Sequence, residues 1–139
     1  MRAILISAVL VGGCGGQTSE QGAGSSETQT KEQRAAESKE SARLVYKLYL
    51  ENRKELRAEA RKLHERTGPD EASQKAASTE LNKIQNKHAK ILFDLNISKC
   101  PADFQEAFEK ILLEIREGRD LRELEFSLAR IAKRLGIAD

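Results

Sequence analysis

The chain has 139 residues, a formal net charge of +2 and a charged fraction of 33% with both signs intermixed. That balance excludes the basic footprint of a nucleic-acid binder. With aromatics at 4% and no Trp, stacking platforms and aromatic cages are excluded as well. The composition is rich in Ala, Glu, Lys, Leu and Arg, which are strong helix formers, and no alternating β-branched run occurs. The expected class is all-α: a small up-down bundle of two helical hairpins, about four helices, behind a disordered N-terminal tether.

The chain opens with Arg2, then an uncharged apolar run from Ala3 to Val11, then Gly12, Gly13 and Cys14. A charged start, a short apolar stretch and small residues form the layout of a secretory signal peptide. The apolar run is about half the roughly 20 residues needed to span a bilayer. The segment Val11-Gly12-Gly13-Cys14 resembles the lipobox of bacterial lipoproteins. The resemblance implies export, cleavage after residue 13 and a diacylglyceryl thioether on Cys14. It places the protein in the bacterial cell envelope, held to the membrane through the lipid on Cys14, with its domain in the periplasm. Gly15 stands where aspartate would retain such a protein at the inner membrane, which favours the outer membrane.

Residues 14 to 38 form the expected lipidated N-terminus and tether. From Gly15 to Ser38 there is no large apolar residue, so burial cannot offset chain entropy. A coil of that length reaches roughly 25–30 Å on average.

The domain is expected over residues 39 to 139. Its first helix is expected over 39 to 67, with Val45, Tyr49, Asn52, Leu56, Ala60 and Leu63 at steps of three and four. Gly68 and Pro69 read as a left-handed cap followed by a stop. A second helix follows over 70 to 95, with the stripe Ala77, Leu81, Ile84, His88, Ile91 and Leu95. The short link makes these two an antiparallel hairpin, pairing Val45 with Leu92, Tyr49 with His88 and Leu56 with Leu81. Cys100-Pro101-Ala102-Asp103 reads as a helix start, with Pro101 at the first helical position and Asp103 as a capping-box acid. The third helix runs to Glu117 with Phe104, Phe108, Ile111 and Ile115 on its seam. A fourth begins at Arg119 and carries Leu121, Leu124, Leu128, Ile131 and Leu135. Gly136 and Ile137 have the composition of a Schellman stop. The run Cys100 to Phe104 resembles helix starts in small exported helical proteins of unknown function.

Three features could carry chemistry. Cys14 would be consumed by lipid, which leaves Cys100 as a free thiol; at a helix N-terminus its pKa would fall. A thiol-dependent enzyme or redox protein centred on Cys100 is therefore an alternative reading. His88 faces Tyr49 in the proposed register, and with no further Cys or His nearby no metal site is expected. Helix one is basic, with eight basic and four acidic residues from Arg43 to Arg66. Its candidate contacts for an anionic partner, an envelope glycan or lipid, are Lys47, Lys54, Arg57 and Arg61. No nucleophile motif or phosphate-cradling loop is present. No enzyme activity and no cofactor is expected, and the favoured function is a membrane-anchored helical module that binds an envelope protein. The oligomeric state is not fixed by the sequence.

Overall fold

A computed structural model describes the backbone from Val11 to Ala138, and side-chain surroundings from Thr30 onward. The residues before Val11, read above as a signal peptide, and the side chain of Cys14 lie outside what it describes. Four α-helices follow one another: α1 Val11–Arg66, α2 Glu71–Phe93, α3 Ala102–Glu117 and α4 Arg122–Arg134. No strand occurs among the described residues. The protein is all-α, and α2, α3, α4 and the later part of α1 form a small helical bundle.

The chain divides into two units, Met1–Glu37 and Ser38–Asp139. Within the first, α1 is already helical from Val11, so the stretch read as a tether carries helical backbone. Ala, Glu, Gln and Lys in its latter part favour that conformation. Side chains 30 to 37 are all exposed, as their lack of an apolar stripe requires.

In the second unit each helix ends for a visible reason. Asp70 caps α2: its Oδ2 accepts from the Ser73 amide at 2.9 Å and its Oδ1 from the Ser73 hydroxyl at 2.7 Å. Gly68 is not left-handed, contrary to expectation; only Gly118 and Gly136 have positive φ among the described glycines. Gly68 is needed for space instead, because a Cβ there would stand 2.9 Å from Asp70 Oδ1. The cap of α3 is Pro101, and no side chain caps it. Asp103 is therefore not a capping-box acid; it accepts from the adjacent Phe104 amide and pairs with Arg134 of α4. Gly118 closes α3 with φ 68°, while Arg119 N donates to Glu114 O at 2.9 Å. The end of α4 repeats this geometry: Ile137 N donates to Ala132 O and Gly136 N to Lys133 O, both at 3.0 Å. That is the expected Schellman pattern.

The core joins all four helices. Ala42, Val45, Tyr46 and Tyr49 of α1 meet Leu92 of α2, Phe104, Phe108 and Ile111 of α3, and Leu128 and Ala132 of α4, with Leu121 beside them. Phe104 and Phe108 lie nearly parallel with centroids 6.1 Å apart, and Tyr49 meets Phe108 edge-on at 5.7 Å. Burial of each such side chain contributes about 1.5–3 kcal/mol. Two seam assignments shift. Leu92 is buried and Ile91 is exposed, because α2 turns the i, i+4 series Ile84, His88 and Leu92 inward. Ala132 belongs to the core, although the leucine spacing left it off the seam.

Candidate functional site

Cys100 is a free thiol, buried in the turn before α3. Its amide donates to Ile97 O at 3.0 Å, and its carbonyl accepts from Gln105 Nε2 at 2.6 Å. It precedes the cap residue rather than capping the helix, so it does not receive the helix N–H groups that would acidify it. Burial instead pushes its pKa up, which favours the less nucleophilic thiol form.

His88 is also buried, but not against Tyr49 as the register expected. Asn52 stands at its level: Asn52 Nδ2 lies 3.2 Å from His88 Nδ1 and donates to the His88 carbonyl at 3.2 Å. On the other side, His88 Nε2 is 3.1 Å from Glu59 Oε1, which also accepts from Lys87 Nζ at 2.9 Å. The network assigns Nε2 as the protonated nitrogen, donating to Glu59, and Nδ1 as the acceptor from Asn52. Hydrogen bonds from Lys87 and then His88 hold the Glu59 carboxyl below the usual carboxylate range. Asn52 Oδ1 is buried without a protein partner.

Tyr49 turns the other way. Its hydroxyl donates to Glu125 Oε1 of α4 at 2.7 Å. Arg53 Nε donates to the same oxygen at 2.9 Å, and Arg57 reaches Glu125 Oε2 at 3.7 Å. Burial first, then the Glu125 contact, raises the Tyr49 phenol well above its ordinary range. The two-helix pairing omitted α4, which places a carboxylate beside α1. The correction is a slide of about three residues between α1 and α2: Asn52 meets His88, and Tyr49 packs on Phe108 and bonds to Glu125.

Beside His88 a cleft of about 530 Å³ opens between α1, α2 and the α3–α4 turn. Asn52, Gln85, Asn86 and His88 contribute neutral polar groups, Arg53, Arg116, Glu117, Arg119 and Asp120 charged ones, and Leu56 and Ile115 part of its apolar wall. No Ser, Thr or Cys lines it. The imidazole is committed to Glu59 and Asn52. Among the described residues no group of three or more His, Cys, Asp or Glu is placed to hold a metal ion.

The predicted basic residues stand on α1, and all four are exposed. Lys47, Lys54 and Arg61 recur every seven residues, which keeps them on nearly one line of the helix. None of these three makes an ion pair among the described residues. Arg57 leans to the flank facing Glu125. No acid of α3 makes an ion pair with this line among the described residues: Glu106 pairs with Lys110, Asp103 with Arg134, and Glu114 and Glu117 with Arg119.

Sequence reading missed what α4 adds. Phe126 is 64% exposed with the Arg130 guanidinium 5.0 Å from its ring centre. Its position off the leucine seam was the available signal. No described helix is long and apolar enough to cross a membrane. No family model matches the chain, and no curated protein and no solved structure shows significant similarity to it.

Proposed function

We propose that this protein is a lipid-anchored component of the bacterial cell envelope whose helical domain acts as an interaction or scaffolding module. The observation that carries the reading is the sequence Val11-Gly12-Gly13-Cys14 directly after an uncharged apolar run. Two or three acyl chains on one cysteine hold a protein essentially permanently, since each buried methylene contributes about 0.8 kcal/mol and a single chain is marginal. The protein would reside at the outer membrane with its domain in the periplasm. Support for an interaction role comes from the surface. Leu44, Leu48, Ile91, Leu113 and Phe126 are exposed on a domain whose core is already closed by other residues.

Metabolic labelling with palmitate, followed by membrane fractionation, tests the anchor. The wild-type chain should take up label and sediment with membranes. The Cys14→Ser chain should take up no label and should be stripped from membranes by 1 M salt, a wash that leaves an acylated chain in place. Absence of label in the wild type sinks the anchor. Crosslinking and purification of the labelled protein from membranes would then recover the envelope partner.

A further inference from the structure

The line of cations on α1 does not stand alone. On α4, Leu128 and Ala132 point into the core, and the steps of three and four that join Phe126, Arg130 and Lys133 place these on the opposite, solvent side. All three are exposed. Glu125, on the flank between the two faces, is taken up by Tyr49, Arg53 and Arg57 of α1. It thereby joins the outer sides of α1 and α4 edge to edge. Further along, Leu50 and Lys47 border a groove with Ile137 and Ala138, just beyond α4. Leu50 is 48% exposed and sits between Lys47 and Lys54 on the same side of α1.

Lys47, Lys54, Arg61, Arg130 and Lys133 have no ion pair among the described residues. Of the acids nearby, Glu125 is satisfied by Tyr49 and Arg53 and Glu40 by Arg43, while Glu51, Glu65 and Glu123 are exposed on the same sides of their helices as Lys47, Arg61 and Arg130. Two exposed apolar side chains, Phe126 and Leu50, stand among these five cations and three acids, so the face keeps a net positive charge.

We propose that this shared face of α1 and α4 docks onto an anionic lipid bilayer. Lys47 to Arg61 spans about 21 Å along a convex helix, so the cations reach a flat charged surface together and enclose no concave ligand. Phe126 and Leu50 would enter the headgroup boundary, while the alkyl stems of Lys and Arg lie along it with their charges at the phosphates. The biological setting rests on the anchored reading above, which keeps the domain within reach of a membrane. The binding itself does not depend on the anchor.

The test uses the full chain carrying Cys14→Ser, so that no acyl group contributes, in co-sedimentation with vesicles. Vesicles of phosphatidylcholine with phosphatidylglycerol should bind it, and vesicles of phosphatidylcholine alone should not. Binding should weaken steeply from low salt to 1 M, where the Debye length shrinks to about 3 Å. Each cation contributes about fivefold to partitioning. Lys47→Gln/Lys54→Gln/Arg61→Gln should therefore cost about a hundredfold, and Phe126→Ser several-fold with the salt dependence retained. Lys75→Gln/Lys90→Gln/Lys99→Gln removes the same charge elsewhere and should leave binding nearly intact. Should the α1 triple variant lose its helical circular dichroism, Arg130→Gln/Lys133→Gln on α4 serves in its place. Equal losses in the on-face and off-face variants would overturn the proposal. So would indifference to phosphatidylglycerol, or capture of an acidic protein without any vesicle binding. Palmitate labelling of the wild type reads the anchor separately, so either claim can fail alone.

Discussion

Leu128→Ala is the sharpest test of the bundle. Leu128 is fully buried and shares its cluster with Tyr49 from α1 and Phe104, Phe108 and Ile111 from α3. Three of those neighbours are held by ring packing, Phe104 stacked on Phe108 and Tyr49 edge-on to Phe108. Tyr49 is further fixed by its hydrogen bond to Glu125. Walls pinned in this way collapse poorly into a void, so the cost should fall in the upper part of the range for such truncations, about 3–5 kcal/mol. Total stability of a domain is typically about 5–15 kcal/mol. One substitution should thus remove a large share of it and lower Tm by about 15–30 °C for a domain near 100 residues. Urea titration followed by circular dichroism gives the free energy, and an unchanged m-value shows that two-state unfolding holds. Leu113→Ala, at a half-exposed position of α3, should stay within about 0.5 kcal/mol. A Leu128→Ala cost near that of Leu113→Ala would mean that α4 does not pack on α1 and α3 as described.

Cys100 should react slowly with a thiol reagent in the native protein and at the rate of a free thiol in urea, since burial both shields it and raises its pKa; rapid native labelling would restore the thiol-centred reading. Limited proteolysis should cut within residues 15 to 37 before any site in the bundle, because side chains 30 to 37 are exposed and the segment has no apolar stripe; first cuts in α3 or α4 would contradict this. Tyr49 is raised by burial and by Glu125, so its contribution is complete below the unfolded phenol pKa of about 10 and is lost as pH rises above it. Stability measured by urea midpoint should therefore fall with pH in that alkaline window, and Tyr49→Phe should flatten the fall; an identical slope in both proteins would remove Tyr49 from the account.

Helix number, class and most of the core were legible because apolar spacing reports a helix face whatever the tertiary context. Phe104, Phe108, Ile111 and Leu128 illustrate this: their spacing alone marks an inward face. What spacing could not fix was the relation between faces. Pairing α1 with α2 about their link set Tyr49 against His88, but the side chain that meets α2 is Asn52, and Tyr49 serves α4. A two-helix register has no knowledge of a third helix that offers a carboxylate. Gly68 shows the same limit locally. Its composition matched a left-handed cap, while its actual constraint is the oxygen of Asp70 two residues on. The basic line on α1 was legible from charge spacing, whereas its extension across α4 depends on tertiary placement of Phe126 and Arg130.

The buried polar pair explains why one register wins. Asn52 and His88 interrupt an otherwise apolar seam between α1 and α2, and both are almost wholly buried. In the observed alignment His88 satisfies Nε2 with Glu59 and Nδ1 with Asn52. Sliding α1 by one turn would strand the imidazole and the amide, at about 1–3 kcal/mol for each unsatisfied buried group. Asn52 Oδ1, unpartnered even here, shows that the pair is not optimised for stability alone; a single buried polar contact that fixes alignment is a recognised use of such groups. That alignment has consequences on the far side of α1. With Asn52 fixed toward α2, Tyr49 and Arg53 fall toward α4 and engage Glu125. The same helical phase turns Lys47, Lys54 and Arg61 outward to solvent. The polar contact inside the hairpin therefore sets which residues α1 turns outward, and a replacement of Asn52 that shifts the register should move the cations proposed to meet lipid with it.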